Sequence, residues 1–190
     1  MTDTTRESAS PASDTGDNTT ASDTDDNTTA SSETVTGGQT GTDGVHLGHV
    51  HLKVRTLDRA VDFYTDVIPD LRVTERVGQF VFLSVGTHHH DLALQATAAA
   101  EPAPDAESDA VGLYHVAWEL PTATALRSAY ERLRERGVAV SPVDHGISKA
   151  LYADDPAGNG VELYLDTRAE NDRREWQGRD TRFDPTDLGE

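Results

Sequence analysis

The stretch HVHLKV, residues 49–54, decides how the folded part of the chain begins. Its valines and its leucine share one face, whereas its two histidines and Lys53 share the other. Strict alternation of apolar and polar side chains is typical of a strand that is buried on one face only. Apolar residues at helical spacing follow over residues 57–68, and Pro69 ends that helix. Three further strands are indicated by RVTERV, FVFLSV and DLALQA, residues 72–77, 80–85 and 91–96.

The same order of elements, β-α-β-β-β, occurs a second time. GLYHVAWEL, residues 112–120, alternates like the first strand, a helical face spans residues 126–133, and Gly137 closes that helix. Strands are then indicated near VAVSPV, ISKALYAD and VELYLD, residues 138–143, 147–154 and 161–166. His49 and His115 occupy matching places 66 residues apart. A self-similarity of this length predicts two copies of one structural unit.

Composition divides the chain around these two units. Residues 1–43 carry nine acidic residues, thirteen threonines and no aromatic residue, so we expect a disordered acidic tail rich in Ser and Thr. The folded domain is predicted over residues 44–168. It comprises module one at 45–97, an acidic linker of small residues at 98–110, and module two at 111–168. Residues 169–190 are predicted to form a polar C-terminal tail, which Trp176 or Phe183 anchors.

The charge balance excludes one broad class of partner. The chain of 190 residues has 34 acidic and 16 basic residues, a net charge of −18, so a nucleic-acid binder working through a broad basic surface is excluded. The absence of cysteine excludes disulfides, thiolate metal sites and cysteine nucleophiles. No apolar run approaches the ~18 residues of a membrane span, and the first 20 residues contain no apolar segment of a secretory signal. We therefore expect a cytoplasmic protein without a membrane partner.

The basic residues are mostly of one kind, since fourteen are arginine and only Lys53 and Lys149 are lysine. A high acidic content with almost no lysine and no cysteine resembles the composition of proteins from salt-in halophiles. In such proteins the excess negative charge keeps the chain in solution, and high salt screens its self-repulsion. An ordinary acidic protein with an acidic tail is the alternative interpretation.

Three side chains are candidates for a metal site between the two units. The strand faces that point away from the helices carry His49 in the first unit, and His115 and Glu162 in the second. If the units form one curved sheet, these three groups converge inside it. Two neutral imidazoles and one carboxylate form a facial triad on Fe(II), which leaves positions open for substrate and oxygen. Each histidine taken alone is also compatible with a surface residue or a satisfied core residue.

A tyrosine is predicted to stand beside the carboxylate. Tyr152 and Glu162 flank the turn DDPAGNG, centred near Ala157, and their distances from that centre are equal. In a regular hairpin the two residues are therefore cross-strand partners, with Cβ atoms about 4.5–5.5 Å apart. A tyrosine that only packs on the sheet is the alternative.

These patterns resemble a known superfamily. The tandem βαβββ units over residues 45–166 resemble the vicinal oxygen chelate proteins, which include glyoxalase I, bleomycin- and fosfomycin-resistance proteins and extradiol dioxygenases. The stretch VDHGISKALYADDPAGNGVE, residues 143–162, resembles the signature of extradiol ring-cleavage dioxygenases. GLYHVAWELP, residues 112–121, is similar to a metal-bearing region of catechol 2,3-dioxygenases. The fold that this resemblance implies is α+β, with tandem βαβββ modules forming a curved mixed sheet around a metal site.

The resemblance also implies roles for individual residues. His49, His115 and Glu162 match the iron ligands of the family. His145 matches the histidine that hydrogen-bonds a substrate oxygen, and Tyr152 matches the tyrosine that contacts the substrate and the leaving oxygen.

The acid/base residue is implied by HHHDLAL, residues 88–94, which matches a stretch of the family and makes His90 the acid/base. Strict strand alternation instead places His89 on the ligand face. A bulge or a late start of the strand reconciles the two, and we predict His90.

Ala93 bears on the choice among the related enzymes. It occupies in the first unit the place that Glu162 holds in the second. Glyoxalase I and related epimerases, as families, need a fourth protein ligand there, and an alanine methyl cannot bind a metal. Fosfomycin thiol transferases also use two His and one Glu, but would not require His90, His145 and Tyr152 together. Many extradiol dioxygenases carry four βαβββ units, whereas this chain has two.

The implied function is an extradiol dioxygenase of the catechol 2,3-dioxygenase type. It would use Fe(II), with Mn(II) as the alternative, to cleave a catechol-type aromatic diol with O₂. The alternatives are another metalloenzyme of the superfamily, such as an isomerase, a lyase or a thiol transferase, and a non-catalytic binding or resistance protein. The family resemblance also allows a homodimer.

Overall fold

The computed structural model of this chain describes residues 45–86, 88–98 and 111–189. The predicted acidic tail and residues 99–110 of the predicted linker lie outside the described residues. No helix in the described part of the chain is both long and apolar enough to cross a membrane.

Module one has the predicted β-α-β-β-β order. Its elements are β1 (Val50–Val54), α1 (Leu57–Val67), β2 (Arg72–Val77), β3 (Phe80–Ser84) and β4 (Leu92–Ala96). The apolar face of α1 is buried, including Phe63 and Tyr64, because its apolar residues recur at helical spacing. The helix ends at Val67, and the backbone of the next residue, Ile68, is extended, as expected for a residue that precedes proline.

Module two repeats that order. Its elements are β5 (Val116–Glu119), α2 (Ala123–Glu135), β6 (Ser141–Asp144), β7 (Ser148–Asp154) and β8 (Gly160–Asp166). The hydroxyl of Thr122 caps α2 by accepting the backbone N–H of Ala125 at 3.1 Å. Gly137 follows the helix with a φ of +70°, a conformation that favours glycine after a helix C-terminus.

The strands form two mixed sheets, with orders β1-β4-β3-β2 and β5-β8-β7-β6. In each sheet the first and last strands of the module pair in parallel, and the other pairs are antiparallel. The α+β class and the tandem modules are confirmed. The hydrogen-bonded strands form one four-stranded sheet per module rather than one continuous sheet.

The two sheets share one internal register. His51 lies opposite Ala93 in module one, as Ala117 lies opposite Glu162 in module two. The predicted equivalence of Ala93 and Glu162 is therefore confirmed. On the next strand, Phe82 pairs with Ala93 as Tyr152 pairs with Glu162, so Phe82 occupies the place of Tyr152.

One apolar core joins the modules, because α1 and α2 pack against each other and contribute to the same buried cluster. The buried hydroxyl of Tyr64 donates to Asp155 Oδ2 at 3.1 Å across the modules. At the surface, Asp66 of α1 pairs with Arg132 of α2 at 2.9 Å and with Arg136, which directly follows α2, at 2.6 Å. These contacts fix the two modules side by side.

The residues after β8 lie against module two. After α3 (Arg168–Asn171), Thr181 and Asp144 exchange two backbone hydrogen bonds of 2.7 and 3.0 Å at the end of β6. Pro185 and Leu188 are buried, and Leu188 is 7% exposed. Phe183 is half-buried, and the Lys149 ammonium lies 5.4 Å from its ring centroid. Trp176 is 58% exposed, so burial of Pro185 and Leu188 holds this segment better than burial of the tryptophan does.

Candidate functional site

The parallel pairing of β5 and β8 brings His115 and Glu162 together. His115 directly precedes β5, and Glu162 lies opposite Ala117, two residues further along that strand. His115 Nε2 is 2.9 Å from Glu162 Oε2, and the two side chains are 26% and 12% exposed. The two predicted ligands from module two therefore share one small, partly buried site.

Gly160 allows this close approach. A Cβ at residue 160 would overlap the carbonyl oxygen of Tyr114 and would lie 3.2 Å from the Cβ of His115. The absence of a side chain lets the start of β8 pass directly beside the backbone that carries His115. This glycine was not recognised from the sequence as part of the site.

Tyr152 and Glu162 are directly paired in the β7–β8 register, as the sequence predicts. The Tyr152 hydroxyl donates to Glu162 Oε1 at 2.9 Å, so the two oxygens of this carboxylate have different partners. Burial raises the pKa of the Tyr152 phenol, and its hydrogen bond to Glu162 raises that pKa further. The tyrosine therefore keeps its hydrogen at neutral pH.

His145 extends this group of contacts. It lies in the turn between β6 and β7, and its Nε2 is 2.9 Å from the Tyr152 hydroxyl. Its Nδ1 is 2.7 Å from Asp180 Oδ1, and the indole N–H of Trp176 donates to the same oxygen at 3.2 Å. The hydrogen bond from His145 is the main cause of the lowered pKa of Asp180.

Hydrogen counting along this chain of contacts gives two arrangements. Asp180 is acceptor-only when ionised, so His145 Nδ1 supplies the hydrogen of that contact. With a neutral ring, Nε2 accepts, and the one hydrogen of Tyr152 has two acceptors, His145 and Glu162. With a doubly protonated ring, Nε2 donates to the Tyr152 oxygen, and Tyr152 donates to Glu162. The hydrogen bonding of Glu162 therefore depends on which nitrogen atoms of His145 carry hydrogen.

His49 and His90 form a second group, on module one. Their ring centroids are 4.4 Å apart, and His90 also lies 5.0 Å from the ring of Phe82. β4 begins only at Leu92, so alternation along that strand does not govern His90. The late strand start that reconciles the motif with the strand pattern is present, and it places His90 beside His49.

His89 lies between His90 and Glu75 of β2. Its Nε2 is 3.2 Å from Glu75 Oε2 on β2, its Nδ1 is 2.9 Å from His90 Nδ1, and its side chain is 60% exposed. Burial lowers the pKa of His90, and repulsion from His49 and then from His89 lowers it further. His90 is therefore a neutral ring at pH 7, able to accept a proton.

His49 lies near module two without joining the His115–Glu162 pair. A shallow pocket of about 150 Å³ is lined by His49 together with Val116, Ala117 and Trp118 of β5. Among the described residues, no three or more His, Asp or Glu side chains are arranged so that they could hold a metal ion. The structure thus brings His115 and Glu162 together, whereas His49 lies beside β5 without a contact to either, so the three-ligand set stays a prediction.

His115 and Glu162 have the donor types and the spacing of two ligands on one metal ion. The 2.9 Å between His115 Nε2 and Glu162 Oε2 is short enough for both atoms to bind one ion. Imidazole nitrogen with carboxylate oxygen suits Fe(II) and Mn(II). Metal binding through Nε2 leaves the ring hydrogen on Nδ1, a buried atom with no hydrogen-bond partner in the described part of the chain.

Three residues of this region were not singled out from the sequence. Phe82 could have been found by extending the repeat arithmetic to the middle strands, since it is the counterpart of Tyr152. Gly160 carried a weak signal as a glycine at the start of a strand. Nothing in the sequence pointed to Asp180, because 35 residues separate it from His145.

Comparison with known proteins gives a family match. The model of the glyoxalase/bleomycin resistance protein/dioxygenase superfamily matches residues 46–163. This range contains every predicted site residue of both modules.

Two curated relatives are dioxygenases by name. Catechol-2,3-dioxygenase of Bacillus subtilis (strain 168) is 35% identical over 136 residues, which are 72% of this chain and 47% of the relative. Biphenyl-2,3-diol 1,2-dioxygenase 3 of Rhodococcus globerulus is 35% identical over 124 residues, which are 65% of this chain and 64% of the relative. The chain therefore spans about half to two thirds of the length of these relatives.

Solved structures show the same fold. A glyoxylase/bleomycin resistance protein/dioxygenase domain from Frankia sp. EAN1pec is 22% identical, covers 64% of this chain and 98% of that domain, and has a TM-score of 0.54. The fosfomycin resistance protein FosX of Listeria monocytogenes, solved as a point mutant in complex with Mn(II), is 17% identical, covers 66% of this chain and 94% of FosX, and has a TM-score of 0.51.

Proposed function

Because the chain belongs to the glyoxalase/bleomycin resistance protein/dioxygenase superfamily, we propose that it is an Fe(II)-dependent extradiol dioxygenase acting on a catechol-type diol. The proposal rests on the contacts of Glu162. One of its carboxylate oxygens lies next to His115, and the other accepts a hydrogen bond from the hydroxyl of Tyr152. His145 continues the same chain of contacts. The names of the two curated relatives support the same reaction class.

His49, His115 and Glu162 would hold the metal, with Mn(II) as the alternative to Fe(II). When bound, the ion supplies the chemistry that brings a diol and O₂ together and stabilises charge as electrons pass from ring to oxygen. The register position that would carry a fourth ligand holds Ala93. This supports an open triad over the four-ligand isomerases and lyases of the superfamily.

His90 would act as the acid/base. Its neutral ring can take a hydroxyl proton from the diol and return it to an oxygen of the opening ring. Its contact with His49 places it beside a proposed ligand, whereas His89 turns toward Glu75. A histidine whose pKa lies below the working pH serves this role first as a base.

His145 and Tyr152 would orient the substrate oxygens. The hydroxyl of Tyr152 is held between His145 Nε2 and Glu162 Oε1, each at 2.9 Å, so its direction is fixed by two contacts. The phenol keeps its hydrogen because its pKa is raised. The pair thus presents a hydrogen-bonding edge next to Glu162.

A binding protein without metal is the second candidate. The observation that favours it is the lack of a three-donor group among residues 45–86, 88–98 and 111–189. It predicts neither metal retention nor O₂ uptake.

Metal retention separates these candidates. Protein purified anaerobically in high salt is loaded with Fe(II), passed over a desalting column and analysed by mass spectrometry, as wild type and as Glu162→Ala. Glu119→Ala is the matched control, since Glu119 is a carboxylate on β5 that accepts a hydrogen bond from Tyr164. We expect iron near one per chain in wild type and control, and loss of iron in Glu162→Ala. Equal iron in all three would overturn the ligand assignment, and no iron in any would favour the binding protein.

A further inference from the structure

The segment after β8 brings a carboxylate to the far side of His145. Asp180 Oδ1 is 2.7 Å from His145 Nδ1, on the side of the ring opposite to Tyr152. The chain is held there by the two backbone hydrogen bonds between Asp144 and the next residue, Thr181. Asp144, the last residue of β6, directly precedes His145, so the histidine and its carboxylate partner are both held at the end of β6.

We propose that Asp180 is a positioning residue for His145: its carboxylate holds the Nδ1 hydrogen and thereby aims Nε2 at the hydroxyl of Tyr152. A ring free to turn has several rotamers and two neutral tautomers. An acceptor beside Nδ1 favours the rotamer observed here, in which Nε2 is 2.9 Å from the hydroxyl, and the tautomer with hydrogen on Nδ1. The carboxylate selects that combination, as carboxylates do for functional histidines in other proteins.

Trp176 holds the carboxylate in turn. Its indole N–H donates to the same Asp180 oxygen at 3.2 Å. The Asp180 side chain is 49% exposed, whereas that of His145 is 19% exposed. The contacts with His145 Nδ1 and the Trp176 N–H therefore fix the direction of a carboxylate that burial alone would not hold. The C-terminal segment thus contributes to the site, although its sequence predicts only a polar tail.

The effect of Asp180 on kcat rests on the proposed function. Its effect on the tautomer of His145 does not. Asp180→Ala removes the acceptor of the Nδ1 hydrogen. Asp180→Asn keeps a side-chain oxygen of the same reach without the charge. Trp176→Phe keeps the aromatic ring and removes only the N–H that directs Asp180. Asp187→Asn is the matched control, an exposed carboxylate of the same segment.

The first measurement is nitrogen NMR of the full chain, labelled with ¹⁵N-histidine and stripped of metal by a chelator. In the wild type and in Asp187→Asn we expect the hydrogen of His145 on Nδ1. In Asp180→Ala we expect a mixture of the two tautomers, and in Asp180→Asn a partial return to the wild-type signal. A His145 signal that Asp180→Ala leaves unchanged overturns the proposal, whatever the activity does.

The second measurement is steady-state kinetics of the iron-loaded chain with catechol and O₂. We expect Asp180→Ala to lower kcat about 10–100-fold with little change in KM, Trp176→Phe to lower it less, and Asp180→Asn to recover part of the loss. A tautomer change without any dioxygenase activity in the wild type supports the positioning of His145 and overturns the proposed function instead. Full kcat in Asp180→Ala overturns the kinetic role of the positioning.

Discussion

Tyr152 donates its hydroxyl hydrogen to Glu162 Oε1 at 2.9 Å, while the other oxygen of the same carboxylate meets His115. This pairing follows from hairpin arithmetic around one turn, since the two residues are direct partners in the β7–β8 register. A carboxylate with one oxygen held by a phenol has a restricted orientation. The relationship between Tyr152 and Glu162 therefore links the turn sequence to the chemistry of the site.

Replacing Tyr152 tests this link. Tyr152→Phe removes the hydroxyl that joins His145 Nε2 to Glu162 Oε1, and we expect kcat with catechol to fall about 10–100-fold while iron is retained. Tyr164→Phe is the control, because Tyr164 lies on the same face of the sheet and bonds to Glu119 instead. Equal kcat values for the two variants, measured by O₂ uptake, would contradict the role of Tyr152.

Gly160 tests the close approach of β8 to His115. Gly160→Ala places a methyl group against Tyr114 and His115, so β5 must shift. We expect the unfolding free energy to fall by about 1–3 kcal/mol, as for other overpacked positions, and iron retention to drop. Gly112→Ala is the control, since a Cβ there meets nothing within 4 Å. Denaturant unfolding and metal analysis are the measurements, and a stable, iron-retaining Gly160→Ala would show that this approach is not tight.

The lowered pKa of His90 predicts a direction of pH dependence. In the metal-free chain, NMR titration of His90 is expected to show a midpoint below the ordinary histidine value of about 6.5. The unfolded chain then binds this proton more tightly than the folded chain does. The contribution of His90 therefore makes the unfolding free energy fall as pH drops below about 6.5, and His90→Gln removes that contribution. A midpoint at or above 6.5 would contradict the lowered pKa of His90.

The ion pairs of Asp66 also make stability depend on pH, in a more acidic window. The hydrogen bond from Arg136 is the main cause of the lowered pKa of Asp66, and Arg132 lowers it further. The stabilisation is therefore present above the ordinary aspartate value of about 3.9 and is lost as pH falls through the lowered pKa.

Asp66 is 33% exposed, and we expect Asp66→Asn to lower the unfolding free energy at pH 7 by less than ~1 kcal/mol at low salt. The difference should shrink in high salt and at low pH. Asp62→Asn, one turn earlier on α1, is the control. Chemical denaturation at both pH values tests the prediction, and a difference that grows with acid would contradict it.

The sequence was sufficient for the parts of the fold and the site that depend on local periodicity. Alternation and helical spacing placed every strand and helix of both modules, and the repeat placed Ala93 and Glu162 at one register position. Equal spacing around a turn placed Tyr152 beside Glu162. These are relationships in which distance along the chain determines distance in space.

Contacts between segments that lie far apart in the sequence could not be predicted from periodicity. Asp180 reaches His145 because the chain returns to the end of β6 after α3. No periodic pattern in the sequence predicts this return. The position of His49 relative to His115 depends on how two separate sheets pack, which strand patterns do not encode. The placement of His90 beside His49 depends on where β4 begins, a boundary that alternation alone leaves open.

We propose above that this chain opens a catechol ring with O₂. O₂ consumption and the absorbance of the yellow ring-opened product, followed together on anaerobically iron-loaded protein in high salt, test this proposal. We expect one O₂ to be consumed per ring opened, with both signals absent in Glu162→Ala. Bound metal without O₂ uptake, or uptake without ring opening, would contradict the proposal.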